Sequence, residues 1–315
     1  MIKVDYNLLT EFENGLNPAY PERSGIRPRI LGYGEISTTF SIPGMPGVAF
    51  KRMPPFDGNS QIIAYKKAVN TYCSLLRNKC GIETAAFDIY DLTNCHGEHI
   101  VYVAQSELPE ESIGNYILRK ENLSQIESIL DIVIERLFTL HEYNQRAFPA
   151  ELIGFDAQIS NWSFSFSHGD ECIPLYIDIT TPLFRFNGSE QLDPEIFLKS
   201  CPSFLIWLVR WQFLQEVLDR YYDIRLIMID LVSNFYKEGL PDLIDKALTR
   251  INQRIRITGL VSEINPLTRP EIDRYYKNDA FIWSLFLRLR RFDRIIKTKL
   301  LKKRYNFILP GKVNR

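Results

Sequence analysis

The hydrophobic pattern of the chain changes near residue 104, and this change limits the folds that the chain can adopt. Before it, short apolar runs at residues 26–53, 85–92 and 100–104 are separated by turn-forming residues. After it, apolar residues recur at three- and four-residue spacing, in residues 123–143 and again from residue 194 onward. These two patterns are typical of strands and of helices. We therefore predict an α+β chain with a small β-rich N-terminal lobe, residues 1–105, and a larger helical C-terminal lobe, residues 106–315.

Each part also contains elements of the other kind. Residues 61–78 have apolar side chains at helical spacing and are followed by Gly81, which predicts a helix that ends there. The long helix at 123–143 has Ser124 at its start, a residue type that caps helices. Residues 153–167 and 174–179 predict short strands around a turn at 168–171. Trp207 and Trp211 share one helical face and are predicted to lie in the core.

Composition excludes several classes of protein. The chain has 315 residues, of which 45% are hydrophobic and 24% are charged, as in ordinary globular proteins. We find no run near the ~20 apolar residues that span a bilayer. Residues 1–17 contain acids and lack the pattern of a secretory signal. The five cysteines form no C-x-x-C pair, which favours reduced thiols and a cytoplasmic location.

The formal net charge is zero, but the charges are unevenly distributed. Residues 286–315 contain eleven basic residues and one acid, a net charge of +10, so the rest of the chain carries −10. Leu285 and Leu287 are predicted to face the core, which favours a basic helix packed on the C-terminal lobe with its cations complementing the acidic body. The alternative is that this segment binds an anionic ligand, a lipid surface or nucleic acid.

Four short motifs stand in a fixed order along the chain. Gly32 and Gly34 lie in a turn between two predicted strands, where small residues let backbone N–H groups approach phosphate oxygens. Lys51 ends the next apolar strand. An Asp and an Asn separated by four residues follow the long helix, and an Asp ends a later apolar strand; these three residues are Asp156, Asn161 and Asp178. Each motif alone is weak, and their order carries the information.

This order resembles the protein-kinase-like superfamily, which includes protein kinases and the aminoglycoside and choline phosphotransferases. The resemblance covers residues 26–185 and implies a bilobal kinase-like fold that binds ATP and Mg²⁺. It implies that Lys51 and the loop containing Gly32, Gly34 and Ser37 hold the phosphates. By the same resemblance, Asp156 is the catalytic base, Asn161 and Asp178 bind the metal ion, and the hinge that contacts adenine runs from Gln105 to Leu108.

Departures from the family pattern define the alternatives. Ser37 replaces a third glycine, Gly154 and Phe155 precede Asp156 in place of His and Arg, and Asp178 is followed by Ile and Thr. These departures favour a small-molecule or atypical kinase acting on a hydroxyl acceptor. The predicted helix at 61–78 contains no acid to pair with Lys51. Either another acid such as Glu83 or Asp57 substitutes, or Lys51 is placed differently, or the protein is a pseudokinase that binds nucleotide or a phosphorylated ligand with little turnover.

Overall fold

The computed structural model describes residues 2–34, 37–167, 171–210, 214–260 and 263–311. Its largest sheet has five antiparallel strands in the order β1-β2-β3-β5-β4. Their bounds are β1 Arg29–Tyr33, β2 Thr38–Ser41, β3 Val48–Arg52, β4 Phe87–Thr93 and β5 His99–Ser106. Two helices belong to this part of the chain, α1 Tyr6–Gly15 and α2 Asn59–Cys80. The helix predicted at 61–78 is confirmed, and Gly81 ends it in the left-handed conformation.

The second half of the chain is mainly helical, which confirms the α+β class. Two small antiparallel sheets interrupt it, one formed by β6 Glu151–Ile153, β9 Phe184–Phe186 and β10 Ser189–Glu190, the other by β7 Trp162–Phe166 and β8 Cys172–Tyr176. The helices are α3 Gly114–Ile117, α4 Leu123–Ala147, α5 Glu195–Ser200, α6 Ile206–Leu208, α7 Leu214–Asp219, α8 Ile224–Lys237, α9 Ile244–Ile257 and α10 Arg269–Ile295. None of the helices in the described ranges is long and apolar enough to cross a membrane.

Three expectations about this half need correction. The side chain of Asn122, rather than Ser124, caps α4 by accepting a hydrogen bond from the backbone of Gln125. Trp207 is 65% exposed rather than in the core, and Trp211 lies outside the described residues. The two strands predicted over 153–167 and 174–179 are shorter: the loop that carries Asp156 separates the end of β6 from β7, and β8 ends at Tyr176, two residues before Asp178. Most of the predicted turn, residues 168–170, is also outside the described residues.

Alternation along the central strands gives the large sheet two different faces. Val101 and Val103 of β5 join a core formed with α2, α4, α8 and α9. The alternate residues of β5, Tyr102 and Ala104, join a second core. This core also contains Leu9 and Phe12 of α1 and residues of strands β2 and β3. Successive side chains of a strand point to opposite faces, so α1 covers one face and the helical half covers the other. The first core contains residues from both halves of the chain.

The basic C-terminal segment differs from the predicted single helix. Helix α10 ends at Ile295, a π-helical turn covers Ile296–Leu300, and residues 302–311 form an extended segment, here called the C-terminal strap. The strap crosses to the sheet: Thr38 donates a hydrogen bond to the carbonyl of Ile308, and Arg52 donates one to that of Asn306. Leu285, predicted to face the core, is 45% exposed, whereas Leu287 is buried as predicted.

A buried ion pair lies where the strap, α1 and the sheet meet. Arg52 Nε and Nη2 donate to the two carboxylate oxygens of Glu13 at 2.7 and 2.8 Å, and both side chains are almost fully buried. Tyr102, Asn94 and Arg304 also contact this carboxylate. Burial would raise the pKa of Glu13, but Arg52 and the hydrogen bonds lower it to about 2. The carboxylate is therefore held charged inside the protein.

This cluster predicts an acid-sensitive stability. Because its pKa falls from 4.5 to about 2 on folding, Glu13 stabilises the fold fully above pH 4.5, and this contribution is lost as the pH falls toward 2. Glu13→Gln leaves Arg52 buried without its carboxylate and is expected to lower the free energy of unfolding at pH 7 by about 3–5 kcal/mol. Denaturant unfolding at pH 7 and pH 4 measures both effects. Glu22→Gln, which removes an exposed pair with Arg23, is the control and is expected to change little.

Candidate functional site

One cavity of about 680 Å³ lies between the large sheet and the helical half of the chain. All nine residues singled out from the sequence line it. They are Gly32, Gly34, Ser37, Lys51, Gln105, Leu108, Asp156, Asn161 and Asp178. These residues come from five separate stretches of the chain, so only folding brings them together.

The glycine turn lines the cavity between β1 and β2, but only Gly34 of its two glycines lies outside a strand. Gly32, predicted to lie in the turn, is inside β1 and pairs with Thr39 of β2. The backbone N–H of Gly34 donates to the carbonyl of Ser37 at 2.9 Å, which closes the turn. A Cβ atom on Gly34 would lie 2.8 Å from that carbonyl oxygen, closer than real Cβ contacts come. A glycine is therefore required at position 34, because the backbone there comes close to the carbonyl oxygen of Ser37. Glu35 and Ile36 are outside the described residues.

Lys51 reaches from β3 across the cavity. Its Nζ donates to Asp178 Oδ1 at 2.8 Å and to the carbonyl of Ile177 at 3.1 Å. Thr180 Oγ1 donates to the same carboxylate oxygen at 3.1 Å. Burial would raise the pKa of Asp178, but Lys51 and Thr180 lower it below its ordinary value of 3.8. The pair thus holds one cation and one anion side by side in the cavity.

The question of a partner for Lys51 is answered by this pair. Glu83 forms an ion pair with Arg77, and Asp57 forms one with Lys199, so neither of the acids suggested by the sequence fills that role. Helix α2 instead contributes a tyrosine: the hydroxyl of the buried Tyr65 donates to the carbonyl of Thr180 at 2.9 Å. The helix contacts the segment that follows Asp178 without supplying a charge.

A cluster of buried aromatic rings positions Asp156. The rings of Phe155 and Tyr176 lie 4.6 Å apart, and Trp162 packs against both. The hydroxyl of Tyr176 donates to the backbone carbonyl of Asp156 at 3.1 Å. Because Tyr176 lies two residues before Asp178, this cluster fixes the two aspartates relative to each other.

The carboxyl group of Asp156 is poised to exchange a proton near neutral pH. Burial raises its pKa, the nearby carboxylates of Asp230 and Asp178 raise it further, and the result is about 7. The backbone N–H of Gln158 donates to Asp156 Oδ1 at 3.1 Å, which partly offsets the rise. A carboxyl group with a pKa near the working pH is suited to general base catalysis.

Asn161 and Asp178 are the residues at this site that could hold a magnesium ion. Both side chains line the same cavity, and they offer the amide and carboxylate oxygens that Mg²⁺ binds. Across the described ranges there is no cluster of three or more His, Cys, Asp or Glu residues of the kind that holds a metal ion alone. Two protein oxygens nevertheless fit Mg²⁺, because this ion usually keeps several waters and binds substrate phosphates.

The region proposed as a hinge lies at the other end of the cavity. Gln105 is paired with Ala49 of β3 across the sheet, and the backbone N–H of Glu107 donates to the carbonyl of Gly47. Gln105 Nε2 is buried and has no hydrogen-bond partner within the described part of the chain. Leu108 adds an apolar side chain to the same wall. A buried, unpaired amide next to apolar side chains is suited to a flat polar ligand such as a nucleobase.

Comparisons with known proteins identify the family. A model of the family of unknown function DUF6206 matches residues 31–294, which include all nine site residues. The chain belongs to this family. No curated protein matches the chain. Among solved structures, the GDP complex of wild-type aminoglycoside 2'-phosphotransferase-IIIa is similar at 11% sequence identity with a TM-score of 0.33, covering 73% of this chain and 92% of that chain.

Helix α8 supplies cavity residues that the sequence analysis missed. Asp230 accepts hydrogen bonds from Gln158, Arg220 and Tyr275, and Lys237 donates to Gln158 Oε1 at 2.9 Å. Gln158 lies between Asp156 and Asn161, so it connects the loop of Asp156 to α8. Asp230 is the one acid in an otherwise apolar stretch of α8, and this isolation was a signal available in the sequence. The proximity of Asp230 to Asp156 was not, because 74 residues separate the two aspartates.

Replacing Asp230 tests the electrostatics of the site. Asp230→Asn removes one of the two carboxylates that raise the pKa of Asp156, so we expect that pKa to fall from about 7 toward its ordinary value of 3.8. A ¹³C NMR titration of the aspartate carboxyl carbons measures it, with Asp156→Asn assigning the signal. An unchanged pKa in Asp230→Asn would contradict a coupling between the two carboxyl groups.

Proposed function

We propose that this protein is an ATP- and Mg²⁺-dependent phosphotransferase of bilobal kinase-like fold that acts on a hydroxyl acceptor. The observation that supports it is the meeting of the glycine turn, Lys51, Asp156, Asn161 and Asp178 in one cavity. In this proposal residues 1–105 form the nucleotide-covering lobe and residues 106–315 the lobe that carries the base and the acceptor site. Phosphoryl transfer depends mainly on positioning and on cations at the developing charge, and this cavity supplies both.

Each side chain has a role that follows from its chemistry. Lys51 places a positive charge beside the phosphates, and the end of β1 at Gly32 together with the turn from Gly34 to Ser37 brings backbone N–H groups to them. Asp156 accepts the proton of the attacking hydroxyl, as its pKa near 7 permits. Asn161 and Asp178 would hold Mg²⁺, which when bound neutralises charge on the transferred phosphoryl group. Gln105 and Leu108 contact the adenine of the nucleotide.

Two substitutions separate binding from transfer. Asp178→Asn is expected to abolish the Mg²⁺-dependent part of the thermal stabilisation by ATP, because it removes the charged metal ligand. Asp156→Asn is expected to keep that stabilisation and to lower the rate of phosphate transfer by about 10²–10⁴-fold. Thermal shift with ATP, with and without Mg²⁺, and transfer from labelled ATP to a mixture of hydroxyl compounds are the measurements.

The matched control is Glu83→Gln, which removes an exposed carboxylate that pairs with Arg77 away from the cavity lining. It is expected to leave both readouts unchanged. Wild-type stabilisation by Mg-ATP that persists in Asp178→Asn would contradict the metal site. Turnover that persists in Asp156→Asn would contradict the assignment of the base.

The second candidate is a pseudokinase, a module that binds nucleotide or a phosphorylated ligand with little or no turnover. The ion pair between Lys51 and Asp178 favours it, because the carboxylate proposed to bind metal is already engaged by the lysine. Helix α2, from Asn59 to Cys80, offers no acid that could take over the lysine. Stabilisation by nucleotide that is equal with Mg²⁺ and with a chelator, together with no transfer to any acceptor, would favour this candidate.

A further inference from the structure

Helix α10 exposes a long apolar stripe. Five residues at alternating four- and three-residue spacing share one side of the helix, which we call the α10 outer face. They are Phe281, Leu285, Arg288, Phe292 and Ile295. The four apolar members are between 45% and 70% exposed. An amphipathic helix normally buries such a stripe, so an exposed one is a candidate interaction surface.

Neighbouring side chains extend the apolar surface beyond the helix. Leu300 and Leu301, just after α10, are 73% and 55% exposed. The rings of Phe204 and Phe292 pack against each other with their centroids 6.2 Å apart. Trp207, three residues after Phe204, is 65% exposed. The backbone of Ser203 bonds to Asp293, which holds this second segment against α10. The surface is therefore built from two parts of the chain.

The charges on this surface are of one sign. Arg288, Lys299, Lys302 and Lys303 are exposed beside the apolar side chains. Between residues 280 and 311 the sequence has one acid, Asp293, which is 1% exposed and bonded to Ser203 and Lys297. The surface is thus apolar and cationic, without an exposed acid from this segment.

The opposite side of α10 already has its partners. Leu287 and Arg290 are buried there, and the Arg290 guanidinium lies over the ring of Phe307 in the C-terminal strap. The cavity is lined by Tyr276, Asp279 and Trp283, which also lie on this side of the helix. The outer face is therefore the side of α10 that its packing leaves exposed.

We propose that the α10 outer face binds the surface of a membrane containing anionic lipids, with α10 lying in the plane of the interface. Apolar side chains flanked by lysine and arginine are the features of interfacial helices, and aromatic residues such as Trp207 anchor at the same depth. The stripe from Phe281 to Ile295 would extend over about 21 Å of membrane surface. Cations near an anionic leaflet add attraction that salt weakens.

Other partners fit this surface less well. A second copy docked face to face would bring two clusters of cations together, which opposes association. Nucleic acid binding is driven by cations at phosphates and does not require exposed leucines and phenylalanines. The proposal is independent of the proposed function. It also places the cavity, on the other side of α10, within about one helix diameter, ~10 Å, of the membrane.

Flotation with lipid vesicles tests the proposal. The wild-type protein is expected to float with vesicles of phosphatidylcholine and phosphatidylserine, and less with phosphatidylcholine alone. Replacing Phe281, Leu285 and Phe292 by serine is expected to lower the partition coefficient more than tenfold, because each buried apolar side chain contributes. Replacing Arg288, Lys299, Lys302 and Lys303 by glutamine is expected to lower it about five-fold per cation at low salt.

The control is the triple change of Ile63, Leu123 and Ile257 to serine, since each of these residues is 67% exposed elsewhere on the protein. It should float like the wild type. Thermal unfolding verifies that each variant folds, and the glutamine variant provides the test if the serine variant does not. Absence of wild-type flotation would overturn the proposal, as would a lipid-free dimer abolished by the serine changes. The proposal would also be overturned if the protein did not float with vesicles but bound an RNA or DNA oligonucleotide, and this binding persisted in the serine variant.

Discussion

The ion pair between Lys51 and Asp178 is the interaction on which the arrangement of the site depends. Lys51 belongs to the large sheet and Asp178 to the segment after β8, so their contact at 2.8 Å joins the two halves of the chain across the cavity. Both side chains are partly shielded from water, at 11% and 28% exposed, where removing one partner costs more than at the surface. The ion pair therefore helps to hold the two halves of the chain in place on either side of the cavity.

Strand β3 connects this site to the other side of the sheet. Lys51 and Arg52 are adjacent, so they point to opposite faces: one enters the cavity and the other pairs with the buried Glu13. The strap bonds to Arg52 and to Thr38 on β2, next to the glycine turn. The C-terminal end of the chain thus supports, from behind, the strands that carry the proposed phosphate-binding residues. Much of the basic segment serves the fold, while the outer side of α10 remains exposed.

The sequence predicted the α+β class from local patterns, and the nine residues that it singled out line one cavity, while their roles stay predictions. Apolar runs between turn-forming residues located most strands, and helical spacing located the main helices. The order of the four motifs singled out residues that meet only after folding. Features that depend on contacts between distant parts of the chain were missed. Asp230 approaches Asp156 through the packing of α8, and the strap leaves the helix because Tyr305 and Leu309 find an apolar site against Ala19. The exposure of Leu285 and Trp207 was also unpredictable. An apolar stripe on a helix gives the same sequence pattern whether it packs against the protein core or faces the exterior.

The most direct test of this account is a crystal structure of the protein with a nonhydrolysable ATP analogue and Mg²⁺. The account predicts the triphosphate beside Lys51 and the glycine turn, the adenine near Gln105, and the metal ion bound by Asn161 and Asp178. Asp156 should face the terminal phosphate across the space left for a hydroxyl acceptor. A nucleotide bound elsewhere would contradict it. So would a cavity that stays empty at saturating nucleotide, with Lys51 and Asp178 still paired.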